Sequence, residues 1–240
     1  MTVLPYKEEN ASKKEQVARM FDNISPKYDF LNHFLSMGID KAWRKKAINF
    51  LKPLHPQYIL DVATGTGDFA LQALAINPEK VTGIDISAGM LEVGQRKIEK
   101  LGLTKKIELL IGDSENLPFR EDMFNAVTVA FGVRNFENLE KGLHEIYRVI
   151  KPGGMVVVLE FSRPRRFPFR QVYNFYFKIV LPRIGRIVSS DKAAYTYLPE
   201  SVEAFPDGED FVRILKNTGF KDTACKPLTF GISSIYTGRK

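Results

Sequence analysis

One cysteine, Cys225, stands in 240 residues, so no internal disulfide can form, and the chain fits a reducing compartment. Histidine is nearly as scarce. His33, His55 and His144 lie far apart at no metal-ligand spacing, and no metal is expected. A Ser/His/Asp triad has no G-x-S-x-G elbow to support it. No stretch approaches the ~18 apolar residues of a membrane span. The N-terminus, MTVLPYKEENASKKEQ, is polar and charged from Lys7 and makes no secretory signal. The expectation is a soluble, cytoplasmic chain. Another absence is local: between Phe161 and Ser190 there is no acidic residue against seven basic ones, Arg163, Arg165, Arg166, Arg170, Lys178, Arg183 and Arg186. The formal charge is +7, so this segment holds the whole excess. The balanced remainder argues against a nucleic-acid enzyme wrapped in a basic field.

What is present is an alternating pattern. Tyr58–Val62, Val81–Ile84, Lys106–Ile111, Asn125–Phe131 and Met155–Phe161 read as strands, the last after a sharp Lys151-Pro152-Gly153-Gly154 turn. Helices fall between them. Ser87 caps one running to about Lys100, and Asn135 caps another with Leu139, Leu143, Ile146 and Ile150 on one face. A last helix, Glu209–Asn217, stops at Gly219, and strands near 222–229 and 232–237 close the chain. Strand, helix, strand, helix means an α/β fold with a doubly wound, mostly parallel seven-stranded sheet and helices on both faces. Before it, residues 13–24 form a helix. Tyr28–Phe50 reads as two more, broken at Ser36-Met37-Gly38, and this pair either packs on the core or lies across a pocket. Residues 163–206 show no strand. We expect a single domain over 1–240, with an N-terminal helical lid at about 10–50 and a helical insertion at about 163–206.

The most informative stretch is YILDVATGTGDFALQALAINPEKVTGID, residues 58–85. Strand, bare glycine turn (Gly65, Gly67), helix and strand end in Asp85, about twenty positions on, as in a nucleotide-type cofactor site. NAD and FAD enzymes use nearly the same turn, and charge separates the cases. A pyrophosphate would sit at the helix N-terminus, where bare N–H groups attract an anion. Asp61 and Asp68 flank that spot and would repel it. They suit a cofactor carrying an ammonium and a sulfonium, which describes S-adenosyl-L-methionine. The alternative, that Asp68 only complements its own helix dipole, leaves Asp61 unexplained. Asp85 would accept from ribose hydroxyls. Asp113, with the Ser114 backbone, either accepts from an adenine amino group or merely shapes a turn. Arg134, in Phe131-Gly132-Val133-Arg134-Asn135, is the one cation among the strand ends. It either faces the reacting ring or makes a surface salt bridge.

The chain resembles the ubiquinone/menaquinone biosynthesis C-methyltransferases. Tyr28-Asp29, Asn32, Ser36 and Trp43 match their first signature by spacing. Arg148-Val149-Ile150-Lys151-Pro152-Gly153-Gly154 with Leu159-Glu160-Phe161-Ser162 matches the second, and the LPRIG, AYTYLPESV and FP elements extend the likeness along essentially the whole chain. Leu31 and Asp40 depart from the usual Met and His, and Ala130 stands where some members contribute a cofactor-contacting Ser. The resemblance implies a class I, Rossmann-like methyltransferase that uses S-adenosyl-L-methionine, with Thr66, Asp85, Asp113 and Ser114 as cofactor contacts beside Asp61, Gly65 and Gly67. It also implies methylation of a ring carbon of a polyprenylated quinol. LPESVEAFP and the short length look like members acting on demethylmenaquinol; a ubiquinone precursor, or a small O- or N-nucleophile, is the rival substrate.

Such a ring must be reduced, since an oxidised quinone is an electrophile. Its hydroxyl, with a pKa near ~10, must lose or share its proton to push charge onto carbon. Arg134 is the expected cation near that oxygen, Asp29 and Glu160 are base candidates, and Tyr28 is a ring or sulfonium contact. A homo-oligomer is compatible with the sequence. Arg163–Arg186, basic and rich in Phe and Tyr, either meets an anionic membrane at its inner face or covers the substrate.

Overall fold

The structure, a computed structural model, describes residues 3–29, 36, 38–176 and 191–240. Its strands are β1 (Tyr58–Val62), β2 (Lys80–Asp85), β3 (Ile107–Ile111), β4 (Phe124–Ala130), β5 (Ile150–Phe161), β6 (Lys221–Leu228) and β7 (Ser233–Arg239). They form one sheet in the order β3-β2-β1-β4-β5-β7-β6, in which only β7 runs against its neighbours. The helices among the described residues are α1 (Lys13–Ile24), α2 (Ile39–Asn49), α3 (Asp68–Ala73), α4 (Ala88–Lys100), α5 (Leu139–Val149), α6 (Phe169–Phe175), α7 (Lys192–Ala204) and α8 (Glu209–Thr218). None is long and apolar enough to cross a membrane.

Strand β1 shows why the sheet is covered on both sides. All but its first residue are buried, and successive side chains point to opposite faces. Leu60 and Val62 meet Leu143, Ile146, Phe211 and Leu215 from α5 and α8. Ile59 meets Trp43, Ala47, Phe69, Ala70 and Ile98 from α2, α3 and α4 on the other side. Each such buried side chain stabilises the fold by about 1.5–3 kcal/mol. The strand order reverses between β1 and β4, which opens a crevice beyond their carboxyl ends. Helix α1 begins with a capping box, Ser12 and Glu15 satisfying each other's backbone, and packs on α4 and α7 rather than on the sheet.

Two expectations are corrected. Asn135 caps nothing: Val133–Asn135 is a 3-10 turn, and Asn138 caps α5 by accepting from Lys141 N. Phe136 is extended there, so the helix starts later than its apolar spacing implied. Strand β5 begins at Ile150, not Met155, because Ile150 already pairs with Phe124; the sharp turn lies inside the strand, where Ile150–Met155 faces only Phe124–Ala126 and Gly153 takes φ 80°. Gly153 and Gly154 are held there by backbone bonds to Lys240. Of the helix pair at 28–50, Gly38 and α2 with Trp43 are described, while 30–35 and 37 lie outside the described residues.

Candidate active site

Both strands at the reversal are followed by a residue with left-handed backbone, Ala63 at φ 53° after β1 and Phe131 at φ 57° after β4. Such strain costs about 1–3 kcal/mol per residue and concentrates at working sites. The two turns touch: a Cβ on Gly132 would lie 2.5 Å from that of Ala63. They floor a cleft of about 660 Å³, its solvent mouth included. Its walls are Ile84, Asp85, Ile86 and Met90 on one side and Asp113, Ser114 and Glu115 after β3. Lys14, Val17 and Phe21 of α1 reach over it, and Tyr28 lines it too.

Asp85 is the anchor of this cleft. Its carboxylate accepts from Gly65 N at 2.8 Å and from Ser87 N at 2.9 Å. The glycine turn is therefore hung on the end of β2. Burial pushes the Asp85 pKa up, against the pull of those amides. Asp113 accepts from Lys14 Nζ at 2.5 Å and from Glu115 N at 2.9 Å. Gly65 lines the cleft, and Gly67, at φ 79°, starts α3 in a conformation that a side chain would strain.

Thr66, Asp61 and Asp68 are not among the lining residues. Thr66 donates to Asp29 at 2.5 Å. Asp61 is buried between β1 and β4, accepting from Thr64 and Thr128 at 2.6 and 2.7 Å. Asp68 pairs with Lys97 at 2.7 Å, and the same Lys97 meets Asp29 at 2.6 Å. The carboxylate pair argued from sequence is thus occupied elsewhere. The charges that face the cleft are instead those of Asp85, Asp113, Glu115 and Glu137, with Lys14 the single cation among the described lining residues. Those carboxylates disfavour a pyrophosphate and fit a positively charged, phosphate-free nucleoside.

Burial raises the Asp61 pKa from 3.8 to about 6, against the two threonine bonds. Between those values the folded chain holds a proton that the unfolded chain has lost. Stability from this group therefore falls as pH rises through the window and stays lower above it. Asp61→Asn abolishes the titration. Relative to the native chain, that variant should gain up to about 3 kcal/mol between about pH 4 and pH 7 in denaturant melts. A difference that does not change with pH would mean that Asp61 titrates alike in both states.

Beside the cleft lies a second group. Arg134 and Glu160 form a buried ion pair at 2.8 Å, with 7% and 0% of their side chains exposed. Arg134 also donates to the Phe131 carbonyl and, at 3.3 Å, to Ser201 Oγ. Glu160 further accepts from Phe161 N, and burial raises its pKa while Arg134 opposes the rise. It is no surface bridge. Burial also raises Tyr28 and Tyr197 to about 12, with the Arg134 charge opposing in both. Tyr197 donates to Asn135 Oδ1 at 3.1 Å, and Asn135 lines the cleft. The structure so brings Arg134 and Glu160 together and leaves Asp29 with Thr66 and Lys97.

Three contributors escaped sequence reasoning. Lys14 meets Asp113 across 99 positions. Asp22 accepts from Ser87 Oγ at 2.6 Å and from Gly89 N at 2.8 Å, tying α1 to the Asp85 turn. Tyr197 had a signal, since it lies in the AYTYLPESV element; the other two depend on contacts that no local pattern encodes.

The sheet order with one reversed edge-side strand, over a cleft hostile to phosphate, defines a class I S-adenosylmethionine-dependent methyltransferase. The fold agrees with a SAM-dependent methyltransferase from Thermotoga maritima at TM-score 0.64 and 18% identity, over 92% of this chain and 99% of that one. One from Aquifex aeolicus gives 0.55 at 20% identity, over 76% and 81%. The chain belongs to the ubiE/COQ5 methyltransferase family, whose profile matches residues 9–240. It is 51% identical over 239 residues to a demethylmenaquinone methyltransferase of Bacteroides fragilis, covering 99% of this chain and 97% of the relative. A protein of that name from Porphyromonas gingivalis is 43% identical, covering 99% and 98%. The ubiquinone/menaquinone biosynthesis C-methyltransferase UbiE of Geotalea daltonii is 47% identical, covering 95% and 97%.

Proposed function

We propose that this enzyme methylates a ring carbon of demethylmenaquinol, a polyprenylated quinol, in menaquinone biosynthesis. The observation that carries the reading is the 51% identity to the Bacteroides fragilis enzyme along nearly the full length of both chains. S-Adenosylmethionine supplies the electrophilic methyl group. In this reading Asp85 holds its ribose hydroxyls, Asp113 and Ser114 take the adenine edge, and Gly65 and Gly67 keep the turn bare. Asp61 and Thr66 act one step back, bracing the turn through Thr64 and Asp29. Residues of the 10–50 segment serve as a lid, α1 being the part that reaches over the cleft.

The quinol ring is placed between Tyr28 and the Arg134–Glu160 pair. Arg134 lowers the pKa of the ring hydroxyl and steadies the developing phenolate. Glu160 fixes the guanidinium, and Asp29 and Glu160 are the proposed proton acceptors. The raised pKa of Tyr28 keeps it a neutral aromatic wall beside the reacting centre.

The test is turnover with isotopically labelled S-adenosylmethionine on demethylated menaquinol and ubiquinone precursors, read by mass spectrometry. Methyl transfer to the reduced naphthoquinol ring, and none to the oxidised quinone, is the expected result. The Geotalea name spans both pathways, which gives the ubiquinone precursor its place in the assay. Methylation only of small catechols or amines would replace the proposal with a small-molecule methyltransferase.

A further inference from the structure

The short turn between β6 and β7 carries backbone strain that the site above does not use. Thr229 and Phe230 are consecutive non-glycine residues in the left-handed region, at φ 43° and 58°. Thr229 is held by the Trp43 indole, which donates to its Oγ1 at 2.8 Å. The result is an aromatic ring held out of the core, Phe230 being 67% exposed. Strain kept to present an apolar ring to solvent points to a partner.

That ring does not stand alone. Phe230 stacks on Phe169 of α6, centroids 3.8 Å apart and planes within 5°, which joins two segments some sixty residues apart into one patch. Helix α6 buries Tyr173 against α1 and α7 but leaves Val172 and Phe175 outside, 64% and 59% exposed. Phe167, just before it, is 80% exposed. Arg165, Arg166 and Arg170 are exposed around these rings. Arg163 is bound to Asp207 at 2.7 Å, and Arg165 approaches the same carboxylate at 3.6 Å. Arg166 and Arg170 make no ion pair among the described residues. Lys178, Arg183, Arg186 and Phe177, part of the same basic and aromatic run in sequence, lie outside the described residues.

We infer that Phe230, Phe167, Val172 and Phe175, with the arginines between them, form a docking face for an anionic lipid bilayer. Charge complementarity selects this occupant: the described residues from Phe161 to Tyr176 include Arg163, Arg165, Arg166 and Arg170 and no acid. Rings enter the headgroup boundary while guanidinium groups meet lipid phosphates. The inference rests in part on the quinol reading, because a prenylated quinol resides in the bilayer, but its test does not.

Sedimentation with quinol-free vesicles decides it. The protein should bind vesicles containing phosphatidylglycerol, bind phosphatidylcholine vesicles much less, and release at high salt. Arg165→Ala/Arg166→Ala/Arg170→Ala should weaken binding about 100-fold, from about 1 kcal/mol for each arginine. Phe167→Ser/Phe230→Ser should weaken it too, with melting and turnover of a short-tailed soluble quinol retained. If either variant fails to fold, the lipid and salt arms on the native chain decide alone. No binding at low salt, equal binding to both lipids, or variants that bind like the native chain overturn the inference. So does self-association abolished by the phenylalanine pair, which would make the face a contact with a second copy. Vesicle binding without quinol turnover would leave docking standing and remove the substrate reading instead.

Discussion

Replacing Arg134 by alanine is expected to lower turnover ~100-fold or more, the usual consequence of losing a positioned group that steadies developing charge. Folding stability should fall as well, by about 3–5 kcal/mol, because Glu160 would be left buried without its partner. Glu160 has no exposed side-chain surface and Arg134 little, so water cannot replace the lost ion. The two effects are separable. In Arg134→Ala/Glu160→Gln the stranded charge is gone, and denaturant melts should recover most of the lost stability. Turnover should stay low. Recovery of both would make Arg134 a structural residue, and unchanged turnover in the single variant would remove it from the reaction.

Asp85→Ala should weaken S-adenosylmethionine binding about 100-fold by calorimetry. A carboxylate acceptor facing ribose hydroxyls contributes about 1.5–3 kcal/mol per charged hydrogen bond. The same change frees Gly65 N and Ser87 N, which Asp85 now holds, so the glycine turn loses its anchor. Asp85→Asn keeps the acceptor oxygen but loses the charge, and should fall between the alanine variant and the native chain. Affinity unchanged in Asp85→Ala would take this residue out of the cofactor site.

The parallel core was legible because its signals are local. The apolar run Tyr58–Val62, the bare turn and the second run ending at Asp85 fall where the structure has β1, the glycine turn and β2. Ser87 caps α4 through Met90 N as expected from its position. Asn135 and Asn138 are equal as caps on propensity, and the choice between them is made by the 3-10 turn that Gly132 closes with Asn135. Lys151-Pro152-Gly153-Gly154 has the composition of a turn and makes one, with Gly153 at φ 80°, but the pairing of Ile150 with Phe124 and backbone bonds to Lys240 enclose it within the strand. The charge argument reached a phosphate-free cofactor through Asp61 and Asp68, whereas the structure assigns those two to Thr64, Thr128 and Lys97. Thr128 and Lys97 lie 67 and 29 positions away and leave no trace in spacing, and Thr64, though only three positions on, meets Asp61 only because the chain turns back after β1.

Helix α1 places Lys14, Val17 and Phe21 over the cofactor cleft and presses Val17, Met20 and Ile24 against Tyr173 and Tyr197. Lys13 fastens one end to the carbonyls of Arg134 and Phe136, and Asp22 fastens the other to the start of α4. The helix is thus a clasp over the cleft, pinned at both ends. Uncovering the cleft therefore means breaking these bonds and baring the apolar face that Val17, Met20 and Ile24 turn to Tyr173 and Tyr197. In the proposed reading, release of the spent nucleoside would wait on the opening of this single twelve-residue helix.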